Sequence, residues 1–274
     1  MGILVKIFKM NPIKGLFFFL IRLYTLPLRI RIVMQLSFQK VLRKQFWQYY
    51  DEVFLNDYPH IRRACNLLAD TKSPVIFDIG GGQGTTLKIF NKELPNARIS
   101  LFEPIAENYS IIQKQFGQVA NVRLYNLAAG DKDEEAIIHV ADRITSSSLH
   151  QLNPGAHNKD SYLAQALTPS REEKIQVVRL ESYLVESKKT DLLKLDVQGF
   201  ELNVLKGCGE ALKTVRYILL EVSNHHGYEN AELYFEIDAF MRSQGFEIAD
   251  LFPGIKEGGF LKEWDCIYLN KTWK

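Results

Sequence analysis

The run Val75-Ile76-Phe77-Asp78-Ile79-Gly80-Gly81-Gly82-Gln83-Gly84 constrains this chain more than any other stretch. An apolar strand carries one acid and breaks at once into a glycine-rich turn. A strand that passes through small residues into a helix lets a ligand come against bare backbone N–H groups. A second apolar strand, Arg98 to Phe102, ends in Glu103, twenty-one residues past Gly82. An acid at that place in a βαβ unit can hydrogen-bond both hydroxyls of a ribose. Together the two features predict a site for a nucleoside cofactor.

The dinucleotide fingerprint Gly-x-Gly-x-x-Gly fits poorly, because counting from Gly80 its last position is Thr85. The glycines alternate instead, as Asp-x-Gly-x-Gly-x-Gly. That pattern resembles the first motif of S-adenosylmethionine-dependent methyltransferases. Such a cofactor has no pyrophosphate to cradle, and an acid near the strand end suits its ammonium group. A Rossmann-type nicotinamide or flavin oxidoreductase stays open as an alternative, as does a glycine turn with no ligand.

At 274 residues the chain holds one large domain, or one domain with an extension, and 46% hydrophobic residues suffice for a packed core. Cys65, Cys208 and Cys266 are odd in number and far apart. They predict reduced thiols in a cytoplasmic protein, with neither a disulfide framework nor a zinc site. The net charge of +2 hides an asymmetry: residues 1–50 carry nine Lys or Arg and no acid, leaving 25 bases against 32 acids in the remainder. The sequence therefore divides into a basic, helical extension over residues 1–70 and a catalytic domain over residues 71–274.

Within the extension, the apolar run Gly15 to Ile21 is far short of the ~20 residues that span a bilayer. No small-x-small cleavage site follows it, so a signal peptide is not expected. Basic and aromatic residues over 1–35 predict either peripheral contact with the inner face of a membrane or packing on protein, including a second subunit in a homo-oligomer. No RNA- or DNA-binding motif points to a nucleic acid partner.

Residues 38–69 show helical spacing, and Thr71-Lys72-Ser73-Pro74 ends that helix. Strands are then predicted at 75–79, 98–102, 122–126, 136–140, 175–180, 192–196 and 217–221. Helices are predicted at 85–94, 106–116, 182–185, 201–207 and 232–244. A closing antiparallel pair is predicted at 246–250 and 266–269. This alternation implies an α/β fold, a doubly wound, mostly parallel sheet with helices on both faces. Ligands bind such sheets beyond the carboxyl ends of the strands. Asp78, Glu103, Asp196 and Glu221 all fall at predicted strand ends, so one crevice can receive all four. Residues 141–174, rich in Ser, Asn, Thr and Pro, predict a long loop or lid.

The segment Asp191-Leu192-Leu193-Lys194-Leu195-Asp196-Val197-Gln198-Gly199-Phe200-Glu201, followed by Val204-Leu205-Lys206-Gly207, resembles the hallmark of the FkbM family of methyltransferases. Three further pieces are similar and in the same order: Asn126 to Asp131, Ser146 to Leu149, and Val178 to Leu184. Glu181 stands where the family more often has Asp. The resemblance covers about residues 70–270. It implies a class I methyltransferase fold and O-methylation of hydroxyls on natural products or on sugars of bacterial glycans, with a small-molecule or glycan acceptor. It places Asp78, Gly80, Gly82, Glu103, Asn126 and Ala128 around S-adenosylmethionine, with Asn126 and Ala128 near the adenine.

Methyl transfer needs the acceptor oxygen in line with the sulfur, and a hydroxyl reacts poorly until a positioned base takes its proton. Asp196, Glu221 and His225 are the candidate catalytic residues. Glu201, at the start of a helix, is equally well read as stabilising that helix end. Asp196, Glu221 and Asn224 can offer three oxygen ligands to a divalent cation, but nothing in the sequence fixes a metal. A non-catalytic, membrane-attached partner in glycan assembly is the remaining alternative.

Overall fold

The computed structural model describes residues 58–141, 148–150, 169–254, 256–257 and 259–273. The expectations for residues 1–57, and for most of the 141–174 loop, lie outside the described residues. Helix α1 (Pro59–Leu68) leads into β1 (Val75–Ile79), α2 (Thr85–Glu93), β2 (Arg98–Phe102), α3 (Ala106–Phe116) and β3 (Val122–Tyr125). Next come the short β4 (Ala128–Ala129), then β5 (Glu134–Ala141) and β6 (Pro169–Val178). The second half runs α4 (Glu181–Ser187), β7 (Thr190–Leu195), α5 (Glu201–Gly207), a 3-10 turn (Gly209–Thr214), β8 (Val215–Ser223) and α6 (Tyr234–Ser243). It ends with β9 (Phe246–Pro253), the small pair β10 (Lys256–Glu257) and β11 (Phe260–Leu261), and β12 (Glu263–Asn270).

Seven strands form the main sheet in the order β3-β2-β1-β7-β8-β12-β9. The first five are parallel, and β12 runs antiparallel between β8 and β9. Every residue of β1 and β7 is buried, which is why both read as continuous apolar runs: central parallel strands are covered on both faces. The order reverses between β1 and β7. A crevice therefore opens there beyond their carboxyl ends, because the connections leave in opposite directions. Helix α1 packs on β9, β12 and α2. It buries Ile61, Ala64, Cys65 and Leu68, an amphipathic stripe at helical spacing. The expected boundary at residue 70 assigned this helix to the extension. The described part begins at Tyr58 and forms one compact unit with the sheet.

Residues 134–141 and 169–178 do not join the main sheet. With β4 they make a separate three-stranded sheet, β4-β6-β5, in which β5 and β6 are antiparallel. Ile138, Val140, Ile175 and Val177 form its inner face with Ala128 and Ile105. Alternation along β5 and β6 explains this, since only one face of that sheet is covered. Cys65, Cys208 and Cys266 are buried free thiols.

Candidate active site

The turn after β1 is shaped by two contacts. Gly80 has φ +77°, and a Cβ there would stand 1.9 Å from the carbonyl oxygen of Asp196. Only glycine lets β1 and β7 come this close at their ends. Gly82 has φ +54°, and nothing lies within 4 Å of where its Cβ would be. Gly82 is also part of the wall of a cleft of about 310 Å³, lined by Gly80 to Gln83, Phe102 to Ile105, Leu127 to Ala129, Lys194 and Asp196 to Gln198. Ile138 and Leu149 close it from the small sheet, and Tyr58 also reaches its wall.

Glu103 stands where the sequence places it, just past β2. Its Oε2 accepts from the Gly82 N–H at 2.8 Å, and Oε1 accepts from the Ile105 N–H at 3.0 Å and from Asn108 Nδ2 at 3.3 Å. Three donors use three of the roughly four acceptor directions a carboxylate offers, which leaves room for a ligand hydroxyl. Burial pushes its pKa up to about 7, against the pull of those N–H donors. Ala128 lines the cleft, but Asn126 does not: its Nδ2 donates to the carbonyls of Glu103 and Pro104, both at 2.9 Å, and clamps that bend.

Asp78 lies beneath the turn, fully buried and outside the cleft wall. Lys194 meets it there, with Nζ 2.9 Å from Asp78 Oδ1, 3.6 Å from Asp196 Oδ2 and donating to the Gly80 carbonyl at 3.0 Å. The two partners pull in opposite directions. Burial favours the neutral form of Asp78. Burial also opposes the charge on Lys194, but Asp78 and Asp196 outweigh it and hold the ammonium above the ordinary lysine range. With two carboxylates this close, the ion pair is the state the geometry supports. Lys194 lies inside the hallmark segment without a role expected of it there, yet a lysine inside Leu192-Leu193-Lys194-Leu195 is itself a signal: a charge in a buried strand needs a partner.

Asp196 and Glu221 come together, but not on one wall. Asp196 lines the cleft, whereas Glu221 lines a smaller neighbouring recess with Ser223, His225, Tyr228 and Glu263. Gln198 lines both, and its Nε2 donates to Asp196 Oδ1 at 2.9 Å and to Glu221 Oε2 at 3.2 Å. Burial, then the charges of Asp196, Glu263, Asp265 and Glu201, hold the Glu221 pKa well above the usual carboxylate range. His225 is tied by Nδ1 to Ser223 Oγ at 2.7 Å, and its Nε2 is 3.9 Å from Glu263 Oε1. Glu201 is buried and accepts from the Val197 N–H at 3.1 Å, so it clamps the loop that carries Gln198. Sequence reasoning also passed over His60, whose Nδ1 is 3.1 Å from Asp265 Oδ2. Burial moves His60 down to about 4 and Asp265 up to about 7, so it opposes charge on both. Their partnership depends on how α1 lies on β12, which no local pattern encodes. Among the described residues, no group of three His, Cys, Asp or Glu is placed to hold a metal ion.

The groups present fit a nucleoside sulfonium. Phe102, Ile105, Leu127, Ala128, Ile138 and Leu149 give an apolar end, Glu103 gives a hydroxyl acceptor, and Gly82 gives open backbone. The model of the methyltransferase FkbM domain matches residues 78–248. The chain is 26% identical over 205 residues to the 2-O-methyltransferase NoeI of Sinorhizobium fredii, covering 73% of this chain and 84% of that protein. It is 24% identical over 186 residues to Methyltransferase 1 of Beauveria bassiana, covering 64% of this chain and 72% of that one. Among solved structures, magnesium protoporphyrin IX methyltransferase from Synechocystis with bound S-adenosylmethionine aligns over 85% of this chain and 83% of its own, at 14% identity and a TM-score of 0.43.

Proposed function

Because the chain belongs to the FkbM methyltransferase family and its methyl donor is S-adenosylmethionine, we propose that it methylates a hydroxyl of a sugar, glycan or natural product. The observation that carries this reading is the position of Asp196. Asp196 lines the same cleft as Gly80, Gly82 and Glu103. When bound, the sulfonium supplies an electrophilic methyl group, and the chain's own residues do the rest. Glu103 and the open Gly82 backbone orient the nucleoside end. Asp196 accepts the proton of the acceptor hydroxyl as its oxygen attacks, and Glu221 faces the same boundary from the recess. An O-methylating relative supports transfer to oxygen. Peripheral contact of residues 1–35 with an anionic membrane belongs to the same proposal and rests on sequence alone.

The test is transfer of an isotopically labelled methyl group to a panel of glycan and natural-product hydroxyls. Asp196→Asn should keep the fold and cofactor binding and lose turnover by about 10²–10⁴-fold, the usual contribution of a positioned base. No acceptor labelled on oxygen, or a fully active Asp196→Asn, would defeat the reading.

A further inference from the structure

Gln198 holds a backbone conformation that few residues tolerate. Its φ is +54°, in the left-handed region that a long side chain seldom enters. Strain of this kind persists only where the surroundings over-determine it, and here four hydrogen bonds do so. Nε2 donates to Asp196 Oδ1 and Glu221 Oε2. Oε1 accepts from the Tyr228 hydroxyl at 3.0 Å, while the acceptor oxygens of the two acids select the amide's N–H end. The backbone carbonyl accepts from Ser148 Oγ at 2.7 Å. The side chain thus stands in the wall shared by cleft and recess, between one acid of each.

We propose that Gln198 is a positioning residue for methyl transfer, whose single amide nitrogen holds the Asp196 and Glu221 carboxylates turned toward the boundary where the acceptor hydroxyl must lie. The proposal rests on reading those two acids as the reacting pair. Two carboxylates side by side repel, and one N–H for each offsets that repulsion. Glu221 shares its recess with His225 and Tyr228, and Glu201 from α5 and Glu263 and Asp265 from β12 are acids whose charges raise its pKa. A donor favours the charged form of a carboxylate, so removing the amide must raise the pKa of Glu221 further. If turnover needs a charged carboxylate, its acid limb must move to higher pH.

Gln198→Asn and Gln198→Gly separate positioning from structure. Both residues accept a left-handed φ better than glutamine does, and neither reaches both acids. The expected result is an unchanged or raised thermal midpoint, a kcat lowered by about 10²-fold as for other small misplacements, and an acid limb shifted upward. That fall should exceed any loss of cofactor affinity. Wild-type kcat with an unmoved acid limb overturns the proposal. Loss of folding in both variants also overturns it, since the residue is then structural. Asp196→Asn tells the two readings apart. If that variant is inactive while the Gln198 variants are fully active, only the positioning role fails. If Asp196→Asn is itself fully active, the reacting pair is wrong and the positioning role falls with it.

Discussion

Lys194 shows what one residue does when its charge has nowhere to go. It is 5% exposed in a strand buried along its whole length, and it neutralises an acid that is 0% exposed. Replacing only the lysine strands Asp78 with no counter-charge. Lys194→Met should therefore destabilise the fold by about 3–5 kcal/mol, the cost of breaking a buried pair from one side. The double variant Asp78→Asn with Lys194→Met should recover much of that loss, because neither group is then charged. Urea unfolding of the two single variants and the double variant measures the coupling, and additive losses would show that the pair does not act as a unit. The sequence makes the lysine conspicuous but hides its partner. Asp78 and Lys194 are opposite each other only in the register of β1 and β7, and that register is a property of the folded sheet. Gln198 was equally hidden, since nothing local says that a glutamine after a strand will twist to reach two acids.

At the scale of elements, β1, β2, α3 and α5 occupy the spans the sequence predicts, because an apolar run or helical stripe and its breakers are local signals. β8 does not stop at Glu221, where a charge suggested an end. It continues to Ser223, since Val222 is buried and Ser223 still pairs with Glu263 of β12. Strand β5 and the second half of β6 were legible as strands, but residues 169–174, expected in the loop, already belong to β6. The departure of both strands into a second sheet was not legible, because an alternating strand carries no mark of which sheet it joins. The turn after β1 was legible in full, and it yields a prediction. Gly82→Ala should fold, at a cost of roughly 1–2 kcal/mol for a left-handed alanine, because no atom opposes the new methyl. Gly82 lines the cleft, so the added methyl should crowd the bound cofactor, and affinity for S-adenosylmethionine should fall about tenfold or more, ~1.4 kcal/mol. Calorimetry reads this directly, and wild-type affinity would mean that the cofactor does not pass over Gly82.

For the whole molecule, charge is the property that local structure leaves unexplained. Residues 58–274 hold 25 bases against 29 acids, so this part alone carries a net negative charge and gains nothing from an anionic surface. The nine bases of residues 1–50 reverse the overall sign. Among the described residues no helix is long and apolar enough to cross a membrane. Lys6, Lys9, Lys14, Arg22, Arg29 and Arg31 surround Phe17-Phe18-Phe19. Each base near an anionic leaflet contributes on the order of 1 kcal/mol, and the aromatic rings add apolar burial. The sum is enough for reversible binding of the full chain to vesicles containing phosphatidylserine, read by co-sedimentation. Because the Debye length shrinks to about 3 Å in 1 M salt, high salt should release most of the bound protein. Lys6→Glu, Lys9→Glu and Lys14→Glu together should release it at ordinary salt without changing methyl transfer to a soluble acceptor. Equal sedimentation with neutral and anionic vesicles would instead assign the attraction to the phenylalanines alone. No sedimentation with either would leave the basic segment a role in packing on protein.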